Sequence, residues 1–182
     1  YNERLIRQKM STQVADTLIK DFYEQHTDQF ILHEHILKGI FVVVPNGAPK
    51  MDKLRKWMAT PNEKNIEQIE KYAYQYASGY ELFLDSWTTA NQLLMWMPYE
   101  RNEFTQHLGQ HSQIELSDSV STYILQLTDL RRANEKMPFD YAKPQIKDII
   151  LARRQVDFLK QQYHELYNEA LRFKKLQLYE KD

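Results

Sequence analysis

Apolar and polar residues alternate along Thr122-Tyr-Ile-Leu-Gln-Leu-Thr, with Tyr123, Leu125 and Leu127 on one side and Ile124, Gln126 and Thr128 on the other. That two-residue period predicts a strand. Past a proline-marked turn at Pro138 the period changes. Ile146, Ile149, Val156, Leu159, Tyr163, Leu166, Ala170 and Phe173 recur mostly three or four residues apart, which predicts one long helix over roughly 144–175. So long a stripe needs a partner surface, in this chain or in another.

The same reading supplies the other elements. Leu5, Met10, Val14, Leu18 and Phe22 predict a helix over about 2–25, with Asp16 and Lys20 placed to pair. From Glu34 to Val44 the chain has a run of β-branched and aromatic residues, the pattern of a central strand covered on both faces. Pro45-Asn-Gly-Ala-Pro is a turn. Lys50–Met58 predicts a short helix. A second helix is expected from a Thr60-Pro61 cap to about Ala77, with Ile66, Ile69, Tyr72, Ala73 and Tyr76 inward. Tyr80–Leu84 predicts a short strand, and Thr88 or Thr89 caps a helix over Ala90–Met97 that Pro98 closes. Arg101–Gln113 reads as a polar loop, and Gln113-Ile-Glu-Leu as a brief strand. Strands this few and unevenly spaced imply α+β, with a small antiparallel sheet covered by helices.

Composition narrows the function. At 182 residues one domain, or one with a small insertion, can bury a full core. The net charge of −1 disfavours nucleic acid and anionic membranes as partners. There is no cysteine, so disulfides and thiolate chemistry are excluded, and an oxidising compartment suits the chain. No apolar run reaches the ~18 residues of a membrane span.

Together these segments resemble the parvulin-type (PpiC-like) peptidyl-prolyl isomerase domain of SurA- and PrsA-like periplasmic chaperones. Phe22-Tyr23-Glu24 through Phe30 resembles that family's entry, and Leu37-Lys-Gly-Ile-Phe-Val-Val its first strand. Thr122-Tyr-Ile-Leu-Gln-Leu-Thr-Asp, with Pro138-Phe and Ile146-Lys-Asp-Ile-Ile, resembles its last strand and the start of its C-terminal helix. The resemblance implies an N-terminal helical segment (1–29), a parvulin-like domain (30–136), and a long C-terminal helix (137–182) packed on the N-terminal one. It also implies a location in the periplasm or cell envelope of a Gram-negative bacterium, with a signal peptide or lipid anchor expected ahead of Tyr1.

The family's two catalytic histidines align with Ile40 and Tyr123, and its glycine-rich turn is reduced to Gly79-Tyr-Glu-Leu-Phe. The resemblance therefore implies a degenerate isomerase site with no catalytic residue. What remains is a folding factor that binds extended, unfolded clients, outer-membrane proteins among them, and needs no cofactor. Two alternatives stay open: an isomerase rebuilt around Tyr123 and Glu81, and an assembly module acting through the long helix.

Phe83, Trp87, Met95, Trp96 and Met97 are the candidate peptide-binding residues, because soft and aromatic side chains suit promiscuous surfaces. The bland alternative for this group is core. His33-x-His35 and His107-x3-His111 lack further ligands, so no metal site is expected. Glu81 and Asp85, like the doublets Arg131-Arg132 and Arg153-Arg154, are expected to be solvated surface.

Overall fold

The computed structural model describes residues 3–4 and 10–179. The chain divides into two compact units: residues 31–136, and residues 1–30 together with 137–182.

The unit of residues 31–136 is built on β1 (Ile36–Pro45), β2 (Gly79–Thr89), β3 (Gln113–Ser117) and β4 (Ser121–Arg131). They form one antiparallel sheet in the order β2-β1-β4-β3. Its helices are α2 (Met51–Ala59), α3 (Glu63–Tyr76), α4 (Ala90–Leu94) and α5 (Arg101–Leu108).

From Ile40 to Val44 β1 is apolar at every position, and both of its faces are covered. Ile40, Val42 and Val44 join Ile124 of β4 in a core with Leu54, Met58, Ile69 and Tyr72 of α2 and α3. Leu37 and Phe41 join Phe83 and Leu125 on the other face, against Leu93 of α4 and Phe104 and Leu108 of α5. Helices on both faces of an antiparallel sheet make this unit α+β.

Both ladders around β1 shift register beside Gly39. Lys38 pairs with Asp129 and Gly39 with Leu127, so Thr128 is an extra residue on β4. On β2, Leu84–Trp87 bulge out opposite Lys38. Glycine is required here, because a Cβ at Gly39 would lie 2.0 Å from the Gln126 carbonyl oxygen. The bulges also carry β2 well past the short strand read from Tyr80–Leu84.

Several local expectations are corrected. Asn62, not Thr60-Pro61, caps α3, its side chain accepting the Asn65 N–H at 2.9 Å. The helix after Thr89 ends at Leu94 rather than Met97. Residues 101–108 are helical rather than looped, and Phe104 and Leu108, four apart, are the buried pair that makes them so. Arg55 of α2 forms a fork with Glu115 of β3, with two bonds of 2.8 Å, and its proton is held more tightly than usual, chiefly by that hydrogen bond.

The other unit contains α1 (Asp16–Gln25) and α6 (Phe139–Tyr179), which pack against each other. The N-terminal helix is shorter than its periodicity suggested: residues 11–15 are not helical, and Leu5 lies outside the described residues. Asp16 pairs with Lys143 at 2.9 Å rather than with Lys20. Ile19, Phe30, Met137, Ala142, Ile146 and Ile150 are buried. The Tyr23 hydroxyl donates to the Met137 carbonyl at 2.6 Å, and Tyr23 meets Phe139 edge-on. α6 begins five residues before Pro144 and passes through it, although proline has no N–H to give the carbonyl four residues back. The apolar stripe does not all find cover: its first turns are buried, whereas Val156, Tyr163, Leu166 and Phe173 are exposed.

Candidate functional site

An apolar cleft of about 400 Å³ opens on the α4/α5 face of the sheet, lined by Phe41, Val43, Ser78, Gly79, Tyr80, Glu81, Trp96 and Tyr123. Strand register makes its floor. Val43 pairs with Gly79 on one side and Tyr123 on the other, and Phe41 pairs with Glu81 and Leu125. Gly79 has open space where a side chain would stand. The row is therefore tall at Tyr123 and empty at its β2 end, which opens the cleft.

Trp96 forms a wall, stacked on Phe41 with ring centroids 5.9 Å apart at 26°. A capping box starts α4, Thr89 and Gln92 each accepting the other's backbone N–H. The helix then closes in a tight turn, with the Trp96 and Met97 N–H groups both bonded to the Leu93 carbonyl. In that turn three successive side chains part. Met97 enters the core, Met95 is 82% exposed, and Trp96 is 44% exposed over Phe41.

Tyr123 forms the opposite wall. Its hydroxyl donates to Asp118 Oδ2 at 2.9 Å, while Asp118 Oδ1 accepts the N–H groups of Val120 and Ser121 at 2.8 and 2.7 Å. Those bonds, the Ser121 one foremost, hold the Asp118 carboxyl below its usual range. The Tyr123 phenol is pushed up, mainly by its bond to Asp118. It is a protonated donor already committed at neutral pH. Asn46 ties the β1 end to this hairpin through its side-chain bond to the Asp118 carbonyl and its backbone bond to Val120.

The residues singled out from sequence scatter. Phe83 and Met97 are core, and only Trp96 of the five candidates lines the cleft. Trp87 sits in the β2 bulge with Lys38 Nζ 4.7 Å above its ring. Ile40 and Tyr123, the two positions aligned with the family's histidines, lie on opposite faces of the sheet: Ile40 is buried against α2 and α3, and Tyr123 lines the cleft. Phe41 and Val43 are the β1 side chains that line the cleft with Tyr123. Reading residues alone missed both, since a run apolar at every position does not say which side chains face which way. Glu81 and Tyr123 do border the same cleft.

Three of the candidate histidines make contacts within the fold. His35 Nδ1 accepts the Ala133 N–H at 3.0 Å, and the rings of His107 and His111 stack with centroids 6.3 Å apart. Among the described residues, no three His, Cys, Asp or Glu side chains converge as metal ligands. No helix among them is long and apolar enough to cross a membrane.

No protein-family profile and no curated protein matches this chain. Among solved structures it has a distant likeness to SurA-like chaperones of the human pathogen Campylobacter jejuni, described as the virulence factor PEB4 and the periplasmic protein Cj1289. The match has 11% identity and a TM-score of 0.37, and covers 93% of this chain. This chain spans 66% of the matched one, just under two thirds of its length.

Proposed function

We propose that this chain is a chaperone-like folding factor that holds extended, aromatic-bearing segments of unfolded polypeptides, working in the periplasm or cell envelope of a Gram-negative bacterium. One observation carries the reading: an exposed tryptophan stacked over a phenylalanine beside an open apolar cleft. Aromatic walls supply large, stiff contact area with little side-chain entropy to lose. The cleft is floored by sheet residues and open to solvent, a shape suited to a client in extended form. Glu81 at the β2 rim favours a basic residue beside the client's aromatic one. The distant likeness to SurA-like chaperones adds no residue to this argument.

The test is binding of a fluorescein-labelled, unfolded peptide rich in Phe and Tyr, followed by anisotropy. Trp96→Ala should weaken binding at least ~10-fold, on the order of 1.4 kcal/mol, and Met95→Ala much less. Equal affinity for wild type and Trp96→Ala rejects the cleft. An aggregation-prone outer-membrane protein that precipitates equally with and without the chain rejects the chaperone reading.

A second reading has one observation of its own, since Glu81 and Tyr123 share the cleft. A prolyl isomerase rebuilt from them would show turnover in a protease-coupled peptide assay, lost in Tyr123→Phe. That result would replace the first reading.

A further inference from the structure

α6 carries two different apolar rows. Its buried residues are Ala142, Ile146 and Ile150, in the part of the helix that packs with α1. Beside them Arg153 lies over the Phe22 ring at 5.0 Å, and Arg154 donates to the carbonyls of Ser11 and Gln13. These positions follow the pitch of an ordinary helix, as packing within one chain requires.

The second row is Ile149, Ala152, Val156, Leu159, Tyr163, Leu166, Ala170 and Phe173. Its steps alternate three and four without a break, a mean of ~3.5 residues, which is the a/d seam of a coiled coil. From Val156 onward most of it stands in solvent: Val156 is 50% exposed, Leu166 56% and Phe173 70%. Gln161, Glu165, Asn168 and Arg172 lie on the opposite face of the helix, with Gln161 donating to Glu165. A helix of 41 residues is about 60 Å long, and an exposed apolar row of this length marks an interaction surface.

We propose that this row is the seam of a parallel two-stranded coiled coil with a second copy of the same chain. Charge selects both occupant and direction. One flank of the seam carries Lys160, Tyr167 and Lys174, and the other Gln155, Gln162 and Glu169. In a parallel, in-register pair each residue of the second flank faces the first-flank residue five positions on in the other copy. Glu169 then meets Lys174 of the second copy, twice by symmetry, and Gln155 meets Lys160. An antiparallel pair sets like flanks together and brings Lys160 against Lys174, again twice. Flanking pairs of this kind decide partner and orientation in coiled coils.

The test uses the full chain. Sedimentation velocity from low to high micromolar concentration should show a monomer–dimer equilibrium, and Leu166→Glu or Phe173→Glu should return it to monomer with unchanged far-UV circular dichroism. Lys174→Glu should weaken the dimer at least tenfold, and combining it with Glu169→Lys should restore it. Because the chain has no cysteine, Ala170→Cys gives a clean probe: the introduced thiols should form an interchain disulfide on mild oxidation. A wild type that stays monomeric at every concentration overturns the proposal, including one that binds anionic lipid vesicles while monomeric. So does a dimer indifferent to Leu166→Glu and Phe173→Glu, or one in which Ala170→Cys does not crosslink.

Discussion

Gly39→Ala is the most demanding check on the sheet that carries the cleft. The added methyl group would sit 2.0 Å from the Gln126 carbonyl oxygen and 3.1 Å from its carbon. Normal contact requires over an ångström more room, and the obstacle is backbone in the central β1–β4 ladder rather than a side chain that can swing aside. Overpacking of this kind costs ~1–3 kcal/mol or more. The backbone obstacle puts this site at the upper end, and the lower chain entropy of unfolded alanine offsets only ~0.4–1 kcal/mol. With a urea m-value of ~2 kcal/mol/M, a cost of ~3 kcal/mol lowers the unfolding midpoint by roughly 1.5 M. Tryptophan fluorescence is the right probe, because Trp57, Trp87 and Trp96 all lie within residues 31–136. Gly79→Ala is the control: its methyl group meets nothing within 4 Å, and the midpoint should stay within a few tenths molar. A Gly39→Ala midpoint as close to wild type as that would refute the close approach of the two strands.

Three further outcomes follow from single contacts. Asn62→Ala should cost about 1 kcal/mol by removing the α3 cap, whereas Thr60→Ala should cost little, as read from chemical denaturation. A double-mutant cycle on Arg55 and Glu115 should give a coupling of ~1 kcal/mol, since the fork is bidentate but about a third exposed, and added salt should shrink it. The third concerns pH. The Asp118 carboxyl is held low when folded, so the stability it contributes is complete above its unfolded value of ~3.9 and disappears as pH falls through the lower folded value. Tyr123 is raised, so its contribution is complete below ~10 and is lost as pH rises through the higher folded value. NMR titration of Asp118→Asn should return the Tyr123 phenol toward its ordinary value, and an unmoved phenol would contradict the assigned hydrogen bond.

Much of the fold was legible because periodicity reports how many faces a segment buries. The unbroken apolar run at Ile40–Val44 marked a doubly covered central strand, and the three-and-four spacing after Pro138 marked the long helix. Helix caps and ends were harder, since Thr60-Pro61 and Asn62 are both good starting signals and only the backbone path chooses between them. Phe104 and Leu108 were too sparse among polar neighbours to announce α5. The membership of the candidate cleft was not legible. The Met-and-Trp cluster was a reasonable place to look, yet the turn after Leu93 sends Met97 inward and Trp96 outward within two residues.

By itself, then, the sequence determined the α+β class, the central strand, the long C-terminal helix and the absence of thiol chemistry, because composition and local period depend only on neighbours along the chain. Tertiary structure decided the rest. Strand register alone places Val43 between Gly79 and Tyr123, puts Ile40 on the opposite face, and so converts a bare glycine and two aromatic rings into a cleft. It also decided where the stripe on α6 loses its cover. A repeat in sequence shows that a face is apolar, but only the packed molecule shows where α1 stops and solvent begins.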